Sequence, residues 1–162
     1  MPPLLEPKRL RILRALQVRL ARIRQADGYH TDAGYHVALG RYRIPTGVAL
    51  EAVLPAIAIT VGRTNTPAQG VRIQTDLPVI VQAIVAEDYT DALAQAELAV
   101  SDIKRALFGP LTGPVDETLG GLVAEMEPGE VEPIPREEGS PFAGLQVELL
   151  LKLTEKRGEP ES

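Results

Sequence analysis

The sequence has no cysteine and no tryptophan, only 4% aromatic residues, and no long apolar run. Each absence closes a class. Without cysteine there is no disulfide framework, no thiolate metal site and no cysteine nucleophile. The only rings belong to four tyrosines, two phenylalanines and two histidines, too few for a platform on which single-stranded nucleic acid could stack. No stretch approaches the roughly 20 apolar residues of a membrane span. Met1, Pro2 and Pro3 lead into a basic amphipathic segment, not the apolar region of a signal peptide, so the expectation is a soluble cytoplasmic chain with no membrane partner. Acidic residues outnumber basic ones 22 to 17, and a net charge of −5 argues against wrapping nucleic acid over the whole surface. No G-x-S-x-G elbow, P-loop or G-x-G-x-x-G fingerprint occurs.

What is present suffices for one domain. With 162 residues, 44% of them hydrophobic, the chain can bury a core without metal or disulfide support. The expected extent is 1–162, with the core at about 8–154 and a frayed tail at 155–162. Residues 88–110 form the most legible element. Leu93, Ala96, Val100, Ile103 and Leu107 recur at three- and four-residue steps and predict one apolar helix stripe. Asp88 is placed to cap it and Asp91 adds charge in its first turn. Lys104 and Arg105 complement the last turn, and Gly109 and Pro110 stop it.

A first helix is predicted over residues 8–24, with Leu13, Leu16, Leu20 and Ile23 on one side and Arg11, Arg14 and Arg22 on the other. It contains no acidic residue. Such a face is either solvated, paired to acidic groups of a neighbour, or laid against phosphate or an anionic membrane, and the first two are the cheaper readings. Residues 25–34 form a turn-rich loop, and residues 35–39 a short strand. Residues 44–50 read as a loop. A buried strand is expected at 56–62 and a shorter one at 71–75, joined as a hairpin with a long tip. Pro78 opens a further strand through Ala86, dense enough in Val and Ile to be central. After the central helix, residues 119–126 read as a strand interrupted by Gly120-Gly121. Residues 125–138, with six glutamates among prolines and glycine, read as an exposed acidic loop. Leu145, Val147, Leu149, Leu151 and Leu153 alternate regularly as the inward face of a last strand. The fold class is therefore α/β in the broad sense, more closely α+β: a single mixed, mainly antiparallel sheet flanked by an N-terminal helix and a central helix.

Chemistry is harder to find. His30 and His36 flank a turn that also holds Asp27 and Asp32, but the spacing matches no paired-ligand metal motif, and no site is assigned there. Helix capping and turn formation account for Glu87-Asp88 and Asp116-Glu117 more simply than a glycosidase-like carboxylate pair. No catalytic, metal or cofactor-binding residue is expected, and an enzyme is disfavoured.

Several pieces nevertheless occur together in order: the basic first helix, the Gly28-Tyr29-His30-Thr31-Asp32-Ala33-Gly34 turn, and Leu54-Pro55-Ala56 opening a strand. Ala99-Val100-Ser101-Asp102-Ile103-Lys104-Arg105-Ala106-Leu107 and Thr118-Leu119-Gly120-Gly121-Leu122 follow. In this order they resemble the tail terminator (tail completion) proteins of tailed bacteriophages and related tail-like particles. The resemblance spans about residues 8–154. It implies a mixed sheet with flanking helices and a subunit of a sixfold ring that caps the tail tube and joins it to the head or neck. The implied partners are copies of the chain itself, the tail tube protein and a head–tail connector or neck protein. The implied location is the virion tail, after assembly in the host cytoplasm. No cofactor is implied, and DNA is expected to pass without specific binding. Arg11, Arg14, Arg22, Arg63 and Arg72 are the candidate subunit-interface residues. The hairpin at 63–76 is favoured for contacts with ring neighbours or tube, and the acidic loop for an exposed rim. A head–tail connector subunit is the close alternative, a nucleic-acid-binding module using the arginine helix the next, and a hydrolase using His30, His36 and Asp32 the third.

Overall fold

The computed structural model describes residues 5–43, 47, 49, 53–63, 68–69, 72–86, 91–109, 116, 118–135, 138 and 140–156. Two long helices lie on one face of a mixed sheet. Helix α1 spans Lys8–Leu20 and helix α2 spans Ala92–Phe108. Strands β1 (Val37–Leu39), β2 (Ala56–Val61), β4 (Arg72–Ala86), β6 (Phe142–Lys156) and β5 (Glu125–Pro133) run in the order β1-β2-β4-β6-β5, with the two-residue β3 (Ala68–Gln69) paired to β4. Only β1 and β2 are parallel and the other pairs are antiparallel, so the sheet is mixed and mainly antiparallel, as its sequence predicts.

The core sits between helices and sheet. Alternation in β4 sends Leu77, Val79, Val81, Ala83 and Val85 to the helix side, and β6 adds Leu145, Val147, Leu149, Leu151 and Leu153. α1 contributes Ile12, Leu16 and Leu20; α2 contributes Ala96, Ala99, Val100, Ile103 and Leu107. In α1 the buried side is centred on Ile12, with Leu13 only half-buried. The predicted stripe on α2 is one residue too long: Leu93 is 68% exposed, and in the first turn Ala92 packs against the core instead. That turn begins at Asp91, which makes no side-chain cap, and the proposed cap at Asp88 lies outside the described residues, as does the loop tip at 64–67.

The other face of the sheet is only partly covered. Val53, Leu54, Ala56, Ala58, Ile84 and Ala86 form a small second cluster with Tyr42, Ile134 and Phe142, the rings of Tyr42 and Phe142 meeting edge-on at 6.1 Å. Beside it a cavity of about 280 Å3 is lined by Arg41, Thr60, Gln82 and Ser140 among others.

Three sequence-based boundaries change. Residues 72–75 of the expected short strand and the strand opened by Pro78 are one continuous strand, β4, while residue 71 lies outside the described residues. Pro78 fits because its carbonyl accepts from Gly62 N–H at 2.8 Å, and in an antiparallel ladder a residue's N–H and C=O face the same side. The missing donor therefore points at the end of β2, where pairing stops, and costs no bond to β6. Residues 119–126 are not one strand. Leu119, Gly120 and Gly121 all have positive φ (51°, 71° and 87°), which turns the chain before β5 begins at Glu125. Finally, residues 125–133 of the acidic segment are a strand and not a loop. β5 pairs with β6 through a bulge between Pro128 and Val131, and buries Met126 alone, so it carries no alternating signature. Its glutamates and prolines are typical protection for a sheet edge. At the chain's end, Glu155 and Lys156 belong to β6, while residues 157–162 lie outside the described residues.

β4 and β6 pair along all 15 residues, whereas β2 flanks β4 only from Val79 to Ile84 and β5 flanks β6 only from Leu145 to Lys152. The Arg72 end of this pair thus extends beyond its neighbours, with only β3 alongside it.

Candidate functional site

A carboxylate is buried on the helix side of the sheet. Asp102 of α2 is fully inaccessible, and its carboxylate accepts three hydrogen bonds from the 25–36 loop: from His30 N–H at 2.9 Å, Thr31 N–H at 2.8 Å and Thr31 Oγ1 at 2.8 Å. A buried carboxylate demands this many donors, and the loop supplies them by turning its backbone amides toward the helix. One turn further along α2, Arg105 donates to the Gly28 carbonyl at 3.2 Å and lies over the Tyr29 ring at 5.7 Å. The 28–34 turn and the 99–107 stretch of α2 are thus one hydrogen-bonded unit.

The loop is also pinned from the α1 side. Two single 3-10 turns, Gln25–Asp27 and Ala33–Tyr35, shape it, and Gly34 N–H donates to the Ile23 carbonyl at 2.9 Å. A Cβ on Gly34 would lie 2.7 Å from the Ala21 carbonyl oxygen and 2.8 Å from Ile23 N, both backbone atoms that cannot yield. Gly34→Ala is therefore expected to cost about 2 kcal/mol or more, typical of forced overpacking. A lowered urea midpoint with an unchanged slope is the reading that checks it.

His30 and His36 share a cleft of about 720 Å3 with Gln25, Asp32, Tyr35 and Leu98. Asp32 accepts from Gln25 N–H at 2.9 Å, and Asp27 is exposed in the first 3-10 turn. No group of three His, Asp or Glu side chains suited to a metal is found among the described residues. Tyr35, 57% exposed, carries the Arg24 guanidinium 4.5 Å above its ring.

The candidate arginines divide into two sets. Arg11, Arg14 and Arg22 line one groove of about 360 Å3 along α1, together with Arg19, Ala15, Val18 and Leu119. Arg14 is paired with Glu6 at 2.6 Å, and Arg19 donates to the Asp116 carbonyl. Burial lowers the Arg19 pKa; Asp116 opposes this, and the nearby Arg22 charge adds to it. Arg63 is elsewhere, exposed just past β2, and Arg72 opens β4, placed by its backbone alone. Arg19 was not singled out from sequence, although it falls on the same helix face as Arg22.

The wall of this groove is held by a second carboxylate. Asp116 accepts from Thr118 N–H at 2.9 Å, Thr118 Oγ1 at 2.5 Å and Gly120 N–H at 2.8 Å. The Thr118 hydroxyl and the two amides hold its pKa down at about 2. The folded value lies below the ordinary 3.8, so the stabilisation is present above pH 4 and lost as pH falls from there through about 2. Acidification across that window is expected to lower the protection of the Gly120 and Gly121 amides, measured against their intrinsic exchange rates at each pH, before the sheet opens. Equal protection of these amides at pH 5 and at about pH 2 would contradict it.

Fold and surface together define a two-layer α+β protein whose charged and apolar features outside the core lie on open surfaces. Among the described residues, no helix is long and apolar enough to cross a membrane. No family model matches the sequence, and no curated protein matches it. The fold is similar to that of a chain in a solved structure described as the virion of a native gene transfer agent (GTA) particle. The TM-score is 0.51 at 12% identity, and the match covers 89% of this chain and 98% of that one. At this identity the likeness is one of fold.

Proposed function

We propose that this chain is a structural protein of a phage-like particle, and within it a tail terminator: a subunit of a sixfold ring that caps the tail tube and joins it to the head or neck. The observation that carries the reading is a fold shared over 98% of a chain from a gene transfer agent virion. The finer assignment draws on the order of the motifs along the chain. In this role the protein is not an enzyme and needs no cofactor. Its partners are copies of itself, the tail tube protein and a connector or neck protein, and its place is the virion tail after assembly in the host cytoplasm. DNA passes through the ring without being gripped, since a net charge of −5 repels a polyanion except near the arginine groove.

The test adds purified protein to uncapped tail tubes under the electron microscope. One ring at one end of each tube is expected; decoration along the length, or no attachment, would overturn the assignment. A parallel mobility-shift titration with duplex DNA at low salt is expected to show no complex. Tight, salt-sensitive binding would put the nucleic-acid module first.

A further inference from the structure

We infer that the arginine groove of α1 is the receiving half of a head-to-tail contact between copies of this chain, and that it takes the acidic edge strand β5 of the next copy. The inference rests on the ring reading and names the surfaces that would build it. The groove combines the guanidinium groups of Arg11, Arg14, Arg19 and Arg22 with an apolar floor of Ala15, Val18 and Leu119. Val18 is 63% exposed in the middle of it. Glu6 pairs with Arg14 at its rim, and Asp116 turns its carboxylate to Thr118 and Gly120 while its carbonyl accepts from Arg19.

β5 presents the complement. Its residues from Pro128 to Pro133 are all exposed, Glu130 among them, and Glu132 accepts from Gln146 Nε2 at 2.8 Å. The strand's other glutamates, Glu125 and Glu127, already share Lys152 at 3.5 and 3.2 Å. Pro128, Pro133 and the bulge between Pro128 and Val131 spoil the edge for adding another strand, so contact must run through side chains. The acidic edge complements the guanidiniums by charge, and Arg–carboxylate pairing supplies direction. The two surfaces are different parts of the subunit. β5 closes the sheet edge opposite β1, while α1 is tied to β1 by Gln17 Nε2 donating to the Val37 carbonyl at 2.9 Å. A contact between unlike surfaces repeats from copy to copy and closes as a ring when its rotation permits.

The experiment measures self-association of the full chain by sedimentation at low salt, without tubes. The parent is expected to associate, and to dissociate as salt shortens the Debye length from about 30 Å to about 3 Å. Arg22→Glu and Glu130→Arg, both at exposed positions, are each expected to weaken association at least about tenfold, as like-charge juxtaposition does. Circular dichroism should be unchanged. Mixing the two variants, or combining both changes in one chain, is expected to restore association, because every groove then faces an edge of opposite charge. Val18→Asp tests the floor and should weaken association in the same assay. A parent that stays monomeric, or single reversals that associate like the parent, or a double variant no better than the singles, would overturn the inference. Ring capping of tubes that persists in the single variants would leave the terminator reading standing while removing this interface. Restored association by the double variant without tube capping would do the reverse.

Discussion

Ile103→Asp is expected to leave the protein unfolded at room temperature. Ile103 lies at the middle of the buried side of α2, fully inaccessible, above β4 and β6. Removing its side chain forfeits about 2 kcal/mol of burial. Placing a carboxyl there without a partner adds about 2 to 7 kcal/mol even in the neutral form, and more if it stays charged. The total is comparable with the roughly 5 to 15 kcal/mol that keeps a domain folded. The measurement is far-ultraviolet circular dichroism with a thermal melt, beside Glu97→Gln on the exposed side of the same helix, which should melt with the parent. A soluble Ile103→Asp protein with the parent's melting temperature would contradict the packing described.

Asp102 carries the second large effect. Hydrogen bonds to a charged acceptor contribute about 1.5 to 3 kcal/mol each, and removing the carboxylate strands the Thr31 amide and hydroxyl in a buried place. Asp102→Ala is therefore expected to cost about 3 to 5 kcal/mol. Asp102→Asn is the sharper test. It keeps one acceptor but turns an NH2 group toward donors, so it should lose most of the same stability, although size and polarity hardly change. Urea unfolding of both variants, with amide exchange at His30 and Thr31, reads the effect. An asparagine variant as stable as the parent would show that shape, not acceptor count, holds the loop.

The comparison of sequence with structure turns on the same helix. Its buried side was legible from Ala96 to Leu107, since three- and four-residue spacing survives wherever a helix lies on a flat sheet. Leu93 misleads because it stands at the margin of the stripe, where Ala92 and not Leu93 packs against the core. Asp102 was open to notice: it stands three residues from Ala99 and beside Ile103, an acid inside the apolar stripe. Such an interruption signals a buried anchor, but the residues that satisfy it, His30 and Thr31, are 72 and 71 positions away and no local pattern names them. β6 was legible because both its neighbours and the helices above enforce alternation. β5 was not, because an edge strand with one buried residue has nothing to alternate for, and its prolines and glutamates mimic a loop. The arginine face was visible, whereas the apolar floor between those arginines required Leu119, brought in from a turn about 100 residues away.

The unequal lengths of the strands set how the molecule bears load. The paired β4 and β6 form a ribbon about 50 Å long at ordinary strand rise, clamped along its middle by β2, β5 and two helices and overhanging at the Arg72 end. It is a cantilever. Stiffness is greatest near Val81, where strands flank the pair on both sides and helices cover it, and falls toward the tip, where the pair has the two-residue β3 beside it and Lys8 holds the Thr154 carbonyl from one face at 2.9 Å. A body pressing on the tip bends it first, and the core beneath the helices last.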